Sequence, residues 1–246
     1  MCGLPAWRYP KLAAHRGAGK LAPENTLAAF RLGYQHGYRM AEFDVKLAAD
    51  GIAFLLHDAT LDRTTNARGR ADALTWRELS QLDAGSWHSP WYAGEPLPAL
   101  ATVARWSRAN GVAVNIEIKP TPGRERETGA AVAVDAKALW SGEPVPPLLS
   151  SFSEAALEAA RDAAPELPRA FLTEALPDDW RERLMKLGCI AVDIKHTLLT
   201  KARVDEFHDA GMRIATWTAN EPAKVADLLA WGVDTLITDA VDVIPA

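Results

Sequence analysis

Short apolar runs alternate with amphipathic stretches along nearly the whole chain. The runs that read as strands are Leu12–His15, Met40–Leu47, Ile52–His57, Val112–Lys119, Leu148–Phe152, Arg169–Thr173, Ile190–Lys195, Arg213–Thr218 and Thr235–Asp239. Several of them (LLSSF, IAVDI, TLITD) are apolar at successive rather than alternate positions, the pattern of parallel strands covered on both faces. The helical patterns between them have readable ends. Ser153 precedes EAALEAARDAA as an N-cap, and Asn220 with Glu221 and Pro222 opens KVADLLAWG. Gly188, Gly211 and Gly232 each stand between a helical run and a strand, where a helix C-cap favours glycine. A β/α alternation of about eight repeats predicts an α/β protein, and a closed (β/α)8 TIM barrel fits count and length better than an open doubly wound sheet. No G-x-G-x-x-G follows the first strand, which leaves a Rossmann dinucleotide site without support.

Residues 59–98 break this rhythm. They contain no long helical pattern but many turn formers (Asn66, Gly69, Gly85, Pro90, Gly94, Pro96, Pro98) and an aromatic cluster, Trp87, Trp91 and Tyr92. The expectation is a single domain over residues 1–246 with residues 59–98 inserted after the second strand region. On the catalytic face of a barrel such an excursion would roof the site.

Composition narrows the function. The 246 residues, 48% hydrophobic and 24% charged, suffice for one large domain with a sizeable core. A net charge of −5 argues against a general nucleic-acid binder, yet a small anionic ligand needs only a local cationic pocket. Two cysteines, Cys2 and Cys189, are too few for a disulfide framework and read as a terminal thiol and a small buried apolar residue. The N-terminal dozen residues hold Pro5, Arg8, Pro10 and Lys11 and no apolar run, and no later segment is apolar enough to span a bilayer. A reduced, cytoplasmic protein is expected. No periodic surface stripe speaks to its oligomeric state.

Candidate chemistry appears first at Glu42 and Asp44 in EFDVKL, which are two apart and so share one face of a strand. Two acids among apolar neighbours are costly to bury unless paired or bound to a cation; a solvated edge strand is the plainer alternative. Asn115, Glu117 and Lys119 in VAVNIEIKP repeat the device, with Val114, Ile116 and Ile118 on the opposite face. Three carboxylates with water make a hard oxygen site for one divalent cation, Mg²⁺, Ca²⁺ or Mn²⁺, and zinc is less favoured. His15-Arg16 and His57-Asp58 each close a strand-like run, where barrel enzymes keep catalytic groups. Histidine is the side chain best poised to exchange protons near neutrality, and Arg16 and Lys119 would supply fixed charge to a phosphoryl group. Trp217, near the end of RIATWT, reads either as an aromatic wall for a substrate or as a core residue. His36 and His208 read as surface or capping residues, while His88 and His196 fall in loops without an assignment.

Taken in order, these segments resemble the glycerophosphodiester phosphodiesterase family over essentially the whole chain. The matching motifs are AHRG at His15, KLAPENTLAAF from Lys20, EFDVKL, LLHD at His57, LDAGSW from Leu82, GEPLP from Gly94, NIEIKP from Asn115, LLSSF from Leu148, WT-x-N at Trp217 and WGVDTLITDA from Trp231. Within the family the similarity is to bacterial cytoplasmic members associated with glycerol 3-phosphate uptake. The resemblance implies a TIM barrel with a small insertion after His57 and a divalent cation on Glu42, Asp44 and Glu117. It places His15 and His57 as the acid–base pair, Arg16 and Lys119 on the phosphate, and Trp217 against the substrate. Glu24 and Asn25 fall in its PENT segment; read alone, Asn25 is a helix N-cap. The expected reaction is hydrolysis of glycerophosphodiesters, such as glycerophosphocholine and glycerophosphoethanolamine, to glycerol 3-phosphate and an alcohol. Two other readings stay open: a Schiff-base barrel aldolase with Lys119 as nucleophile, and a non-catalytic phosphodiester-binding protein.

Overall fold

A computed structural model describes residues 4–246, so Cys2 lies outside the described residues. The strands are β1 (Leu12–His15), β2 (Met40–Leu47), β3 (Ala53–Leu55), β4 (Ala113–Ile118), β5 (Leu148–Ser151), β6 (Arg169–Thr173), β7 (Ala191–Lys195), β8 (Arg213–Trp217) and β9 (Thr235–Thr238). The helices are α1 (Leu27–Gln35), α2 (Trp76–Leu79), α3 (Leu100–Asn110), α4 (Glu125–Leu139), α5 (Glu154–Ala163), α6 (Trp180–Leu187), α7 (Lys201–Asp209) and α8 (Pro222–Trp231). The sheet runs β1-β9-β8-β7-β6-β5-β4-β2, and the parallel pairing of β1 with β2 closes it into an eight-stranded barrel. Closure leaves no edge among the parallel strands.

The ninth strand departs from the expected alternation. Ile52–His57 was expected as one more unit of the β/α series, but only residues 53–55 form a strand, and β3 runs antiparallel to the outer half of β2. The reason is chain length. Residues 48–52, five between the two strands, turn at Gly51 with φ of 79°, and a parallel return needs a crossover of about a dozen residues. β2 has room for this partner because β1 stops at the level of Glu42, whereas β3 pairs with Val45 to Leu47.

Local signals account for most helix ends. Ser153 and Thr200 accept from the backbone N–H groups of Ala156 and Arg203, and Gly188 and Gly232 end α6 and α8 in the left-handed region. Two expected caps move. Thr26, not Asn25, caps α1, and Glu221 rather than Asn220 stands at the N-cap of α8, with Pro222 at its first turn. Asn25 and Asn220 are thereby freed for the site described below.

Two large clusters make up most of the core. Leu157, Val192, Ile194, Phe207, Ile214, Leu228 and Leu236 fill one side of the space between sheet and helices, and Phe30, Phe43, Val103, Val114, Ile116, Val132 and Leu149 the other. The segment between β2 and α3 builds a small core of its own around Phe54, Leu56, Leu61, Leu79 and Leu97. Among the described residues, no helix is long and apolar enough to cross a membrane. Cys189 is a buried free cysteine, and burial pushes its thiol up to about 12.

Inside the barrel, Asn115 donates from Nδ2 to Oδ2 of the fully buried Asp193 (3.2 Å), while Oδ1 of each residue has no partner. A proton on Asp193 Oδ1 would remove the cost of a buried, half-paired carboxylate, and burial pushes this carboxyl up to about 7 against the Asn115 bond. A carboxyl raised in the folded state takes up a proton on folding. Its contribution is therefore lost as pH climbs from about 4, the unfolded value, through about 7. Asp193→Asn keeps the complementary pair without the proton. Between pH 5 and pH 8 the variant should gain about 1–3 kcal/mol over wild type in urea unfolding. Parallel stability curves would contradict a protonated Asp193.

Candidate active site

All the candidate residues except His57 lie on barrel strands or one step beyond their C-terminal ends. His15 is the last residue of β1, Glu42 and Asp44 lie on β2, Glu117 on β4, Lys119 one residue past β4, and Trp217 ends β8. His57 does not end a strand: β3 stops at Leu55 and the ring stands in the turn beyond. The register sets His15 beside Glu42 and Asp44 beside Glu117, so adjacent strands deliver the three acids to one point. His15, Arg16, Glu42, His57, Glu117, Lys119 and Trp217 line one cavity of about 320 Å³, together with Phe152, Leu172, Thr218 and Ile237. A space of that size is at the lower end of small-molecule sites.

Glu42, Asp44 and Glu117 are exposed by only 3%, 1% and 6%, and one oxygen from each lies within 4.8 Å of the other two. Burial, then the charges of Asp44 and Glu117, hold Glu42 well above the carboxylate range; burial and Asp44 push Glu117 up to about 8. Asp44 behaves oppositely. Burial works against its charge, but Arg16, Lys119 and His57 outweigh it and hold the carboxyl low. Asn25 donates from Nδ2 to Asp44 Oδ2 (2.9 Å) and accepts the Asp44 backbone N–H (3.2 Å), clamping the side chain. The other oxygen, Asp44 Oδ1, is buried without a hydrogen bond. Three buried acids, two of them raised by burial and by the charge of Asp44, with one oxygen lacking a hydrogen bond, are a donor set short of positive charge. All-oxygen donors of this kind suit Mg²⁺, Ca²⁺ or Mn²⁺.

Each histidine carries a carboxylate on its Nδ1. His15 Nδ1 is 2.6 Å from Asp239 Oδ1, and His57 Nδ1 is 2.7 Å from Asp58 Oδ1. A proton held between Nδ1 and the acid leaves Nε2 of both rings for proton exchange in the cavity. Burial keeps the His57 imidazole below its ordinary value. Asp239 follows β9 directly and is set by Asn220, whose Oδ1 accepts the Asp239 backbone N–H at 2.8 Å. The approach is close: a Cβ on Gly19 would stand 1.9 Å from the Asp239 carbonyl oxygen.

Two cations complete the floor. Arg16 Nη1 donates to Glu24 Oε1 (2.8 Å) and Nε lies 3.3 Å from Asp44 Oδ2; Lys119 Nζ donates to Glu117 Oε1 (2.7 Å) and lies 3.6 Å from Asp44 Oδ1. Burial opposes the charge on Lys119, but Glu117 and Asp44 outweigh it and raise the ammonium. Arg16 and Asn25 are the only non-glycine residues with positive φ among those described, at 50° and 59°. Such conformations cost of order 1–3 kcal/mol each and collect at functional sites.

The wall facing these charges is apolar. Trp217 meets Phe152 edge to face at 5.7 Å, and its buried indole N–H has no partner. Of the insertion aromatics, which read equally as part of a roof or as packing within a loop, neither Trp87, Trp91 nor Tyr92 lines the cavity, and Trp91 is 95% exposed. His57 and Asp58 stand just before this segment, and from within it Arg63 reaches Asp58 and Glu24. Asp239, Phe152, Leu172, Thr218 and Ile237 carry no site assignment in the sequence, and Asn220 reads there only as a helix start. Asp239, a polar residue just past an apolar strand, carried the same signal as His15; the apolar wall carried none.

The profile of the Glycerophosphoryl diester phosphodiesterase family matches residues 15–243. The Bacillus subtilis protein YhdW is 33% identical over 238 residues, spanning 95% of this chain and 96% of its own. A glycerophosphodiester phosphodiesterase of Caldanaerobacter subterraneus subsp. tengcongensis is 32% identical over 92% of each chain. Among solved structures, an Oleispira antarctica phosphodiesterase in complex with the product sn-glycerol 3-phosphate superposes with a TM-score of 0.88 at 35% identity, covering 94% of each chain.

Proposed function

Since the chain belongs to the glycerophosphoryl diester phosphodiesterase family, we propose that it hydrolyses glycerophosphodiesters to glycerol 3-phosphate and an alcohol by two-histidine acid–base catalysis at Glu42, Asp44 and Glu117. Glycerophosphocholine and glycerophosphoethanolamine are the expected substrates. What supports the reading most is the single cavity lined by two carboxylate-backed histidines, two cations and Glu42 and Glu117, behind which Asp44 completes a buried acidic triad.

The phosphate lies against Arg16 and Lys119, whose fixed charges hold its non-bridging oxygens. One imidazole Nε2 accepts the proton of the attacking hydroxyl, from water or from the substrate's own glycerol 2-hydroxyl. The other gives its proton to the alcohol oxygen as the P–O bond breaks. With the glycerol hydroxyl as attacker, a cyclic phosphate forms first and water opens it. A divalent cation bound by the three carboxylates would supply Lewis-acid charge to the phosphate. Trp217 and Phe152 face the organic part of the substrate and exclude water from it. Positioning and charge suffice for such a transfer without a covalent enzyme intermediate.

The aldolase reading loses support at Lys119. A Schiff base needs a free amine lone pair, whereas this amine is held charged by Glu117 and Asp44. Product analysis on a panel of glycerophosphodiesters tests the proposal. The expected products are glycerol 3-phosphate and the free alcohol; release of glycerol and a phosphorylated alcohol would overturn it.

A further inference from the structure

His57 and Arg16 line the cavity from loops rather than from strands, and one side chain outside the cavity joins what holds them. Arg63, in the segment between β2 and α3, grips two carboxylates at once. Its Nε donates to Asp58 Oδ2 (2.7 Å) and Nη2 to Asp58 Oδ1 (3.1 Å); Nη1 donates to Glu24 Oε2 (2.7 Å) and Nη2 also to Glu24 Oε1 (2.8 Å). Each carboxylate holds a site residue in turn: Asp58 Oδ1 the Nδ1 of His57 at 2.7 Å, and Glu24 Oε1 the Nη1 of Arg16 at 2.8 Å. The result is one unbroken line, Arg16–Glu24–Arg63–Asp58–His57, whose ends both face the cavity.

We propose that Arg63 is a positioning residue that locks the orientations of His57 and Arg16 together through Asp58 and Glu24. The inference rests on the two-histidine reading of the site above. Two paired N–H···O contacts to each acid fix the plane of both carboxylates, which a lysine point charge cannot do. Arg63 itself is 44% exposed, so its ion pairs add little to folding stability. Its effect belongs to geometry: Arg16 stands in a strained left-handed conformation and His57 in a turn, so neither backbone alone fixes its side chain. Arg63 also neutralises Asp58 beside the imidazole. The other charged groups acting on His57 are Asp44 from β2, Arg16 from the loop after β1 and Lys119 after β4, and all remain when Arg63 is removed.

Arg63→Gln and Arg63→Lys test this in the full chain. Arg63→Gln should lower kcat/KM about 10- to 100-fold, with kcat falling and KM rising because both ends of the line loosen. With Asp58 no longer neutralised, the His57 imidazole should titrate at higher pH, read by NMR of ¹⁵N-histidine-labelled protein and assigned with His57→Gln. Arg63→Lys should restore neither the kinetics nor the titration fully, and the melting temperature should shift by only a few degrees in either variant. Unchanged kcat/KM, or an unmoved His57 titration, in Arg63→Gln would overturn the inference while wild type still releases glycerol 3-phosphate. Wild type with no such release would instead overturn the proposed function, and the histidine titration would still decide the coupling.

Discussion

Replacing Glu117 by glutamine should abolish turnover and yet make the metal-free protein harder to unfold. The two effects have one cause. Glu117 is pushed up to about 8 by burial and by Asp44, so at alkaline pH the folded chain carries a carboxylate it would rather protonate. The sign follows from linkage: stability is lost as pH rises from the unfolded value, about 4.3, through about 8. Glutamine removes that loss, and its melting temperature in chelator should exceed wild type by an amount that grows from pH 5 to pH 9. It also removes one of the three carboxylates proposed to hold the cation and the partner of Lys119, at a cost to kcat/KM of about a thousandfold or more. A variant that is active, or that melts lower at every pH, would contradict the electrostatic reading of the triad. Stability set aside for charge in this way is common where function requires it.

His15→Ala and His57→Ala should each lower kcat by about two to four orders of magnitude, with smaller changes in KM. Both rings are backed by a carboxylate on Nδ1 and present Nε2 to one cavity, so each removes a different proton transfer. Because the two steps serve one displacement, the double variant should be little worse than the poorer single variant. Steady-state rates at saturating substrate, with circular dichroism to establish folding, measure this. Near-wild-type turnover in either single variant would remove that histidine from the mechanism.

Much of this architecture was legible in the residues. Runs apolar on both faces marked the buried parallel strands, and the two-residue spacing of Glu42 with Asp44, and of Glu117 with Lys119, put charges on one face. What the pattern did not carry was strand direction and distance in space. Ile52–His57 looks like any other apolar run; the five-residue connection from β2, not its composition, turns β3 antiparallel. Asn25 looks like a cap, but Thr26 takes that role and Asn25 clamps Asp44. Asp239 lies 224 positions from His15 and reaches it only because β1 closes the barrel against β9. Arg63 has no local signal at all, since its partners Glu24 and Asp58 meet only when the loops of the rim are assembled. Trp91 shows the converse: an aromatic in a cluster can read as roof or as loop packing, and this ring stands in solvent.

Reversible removal of the proposed cation probes the reaction and the triad together. The measurement is the initial rate of glycerol 3-phosphate release from glycerophosphoethanolamine, in wild type and Asp44→Asn, before chelation, in EDTA, and after Mg²⁺, Mn²⁺ or Ca²⁺ is returned in excess. Wild type should release the product, stop in EDTA and recover with at least one of the three ions, while Asp44→Asn stays inactive throughout. Full activity of wild type in chelator, or recovery of Asp44→Asn by the same ion, would contradict this role of the triad.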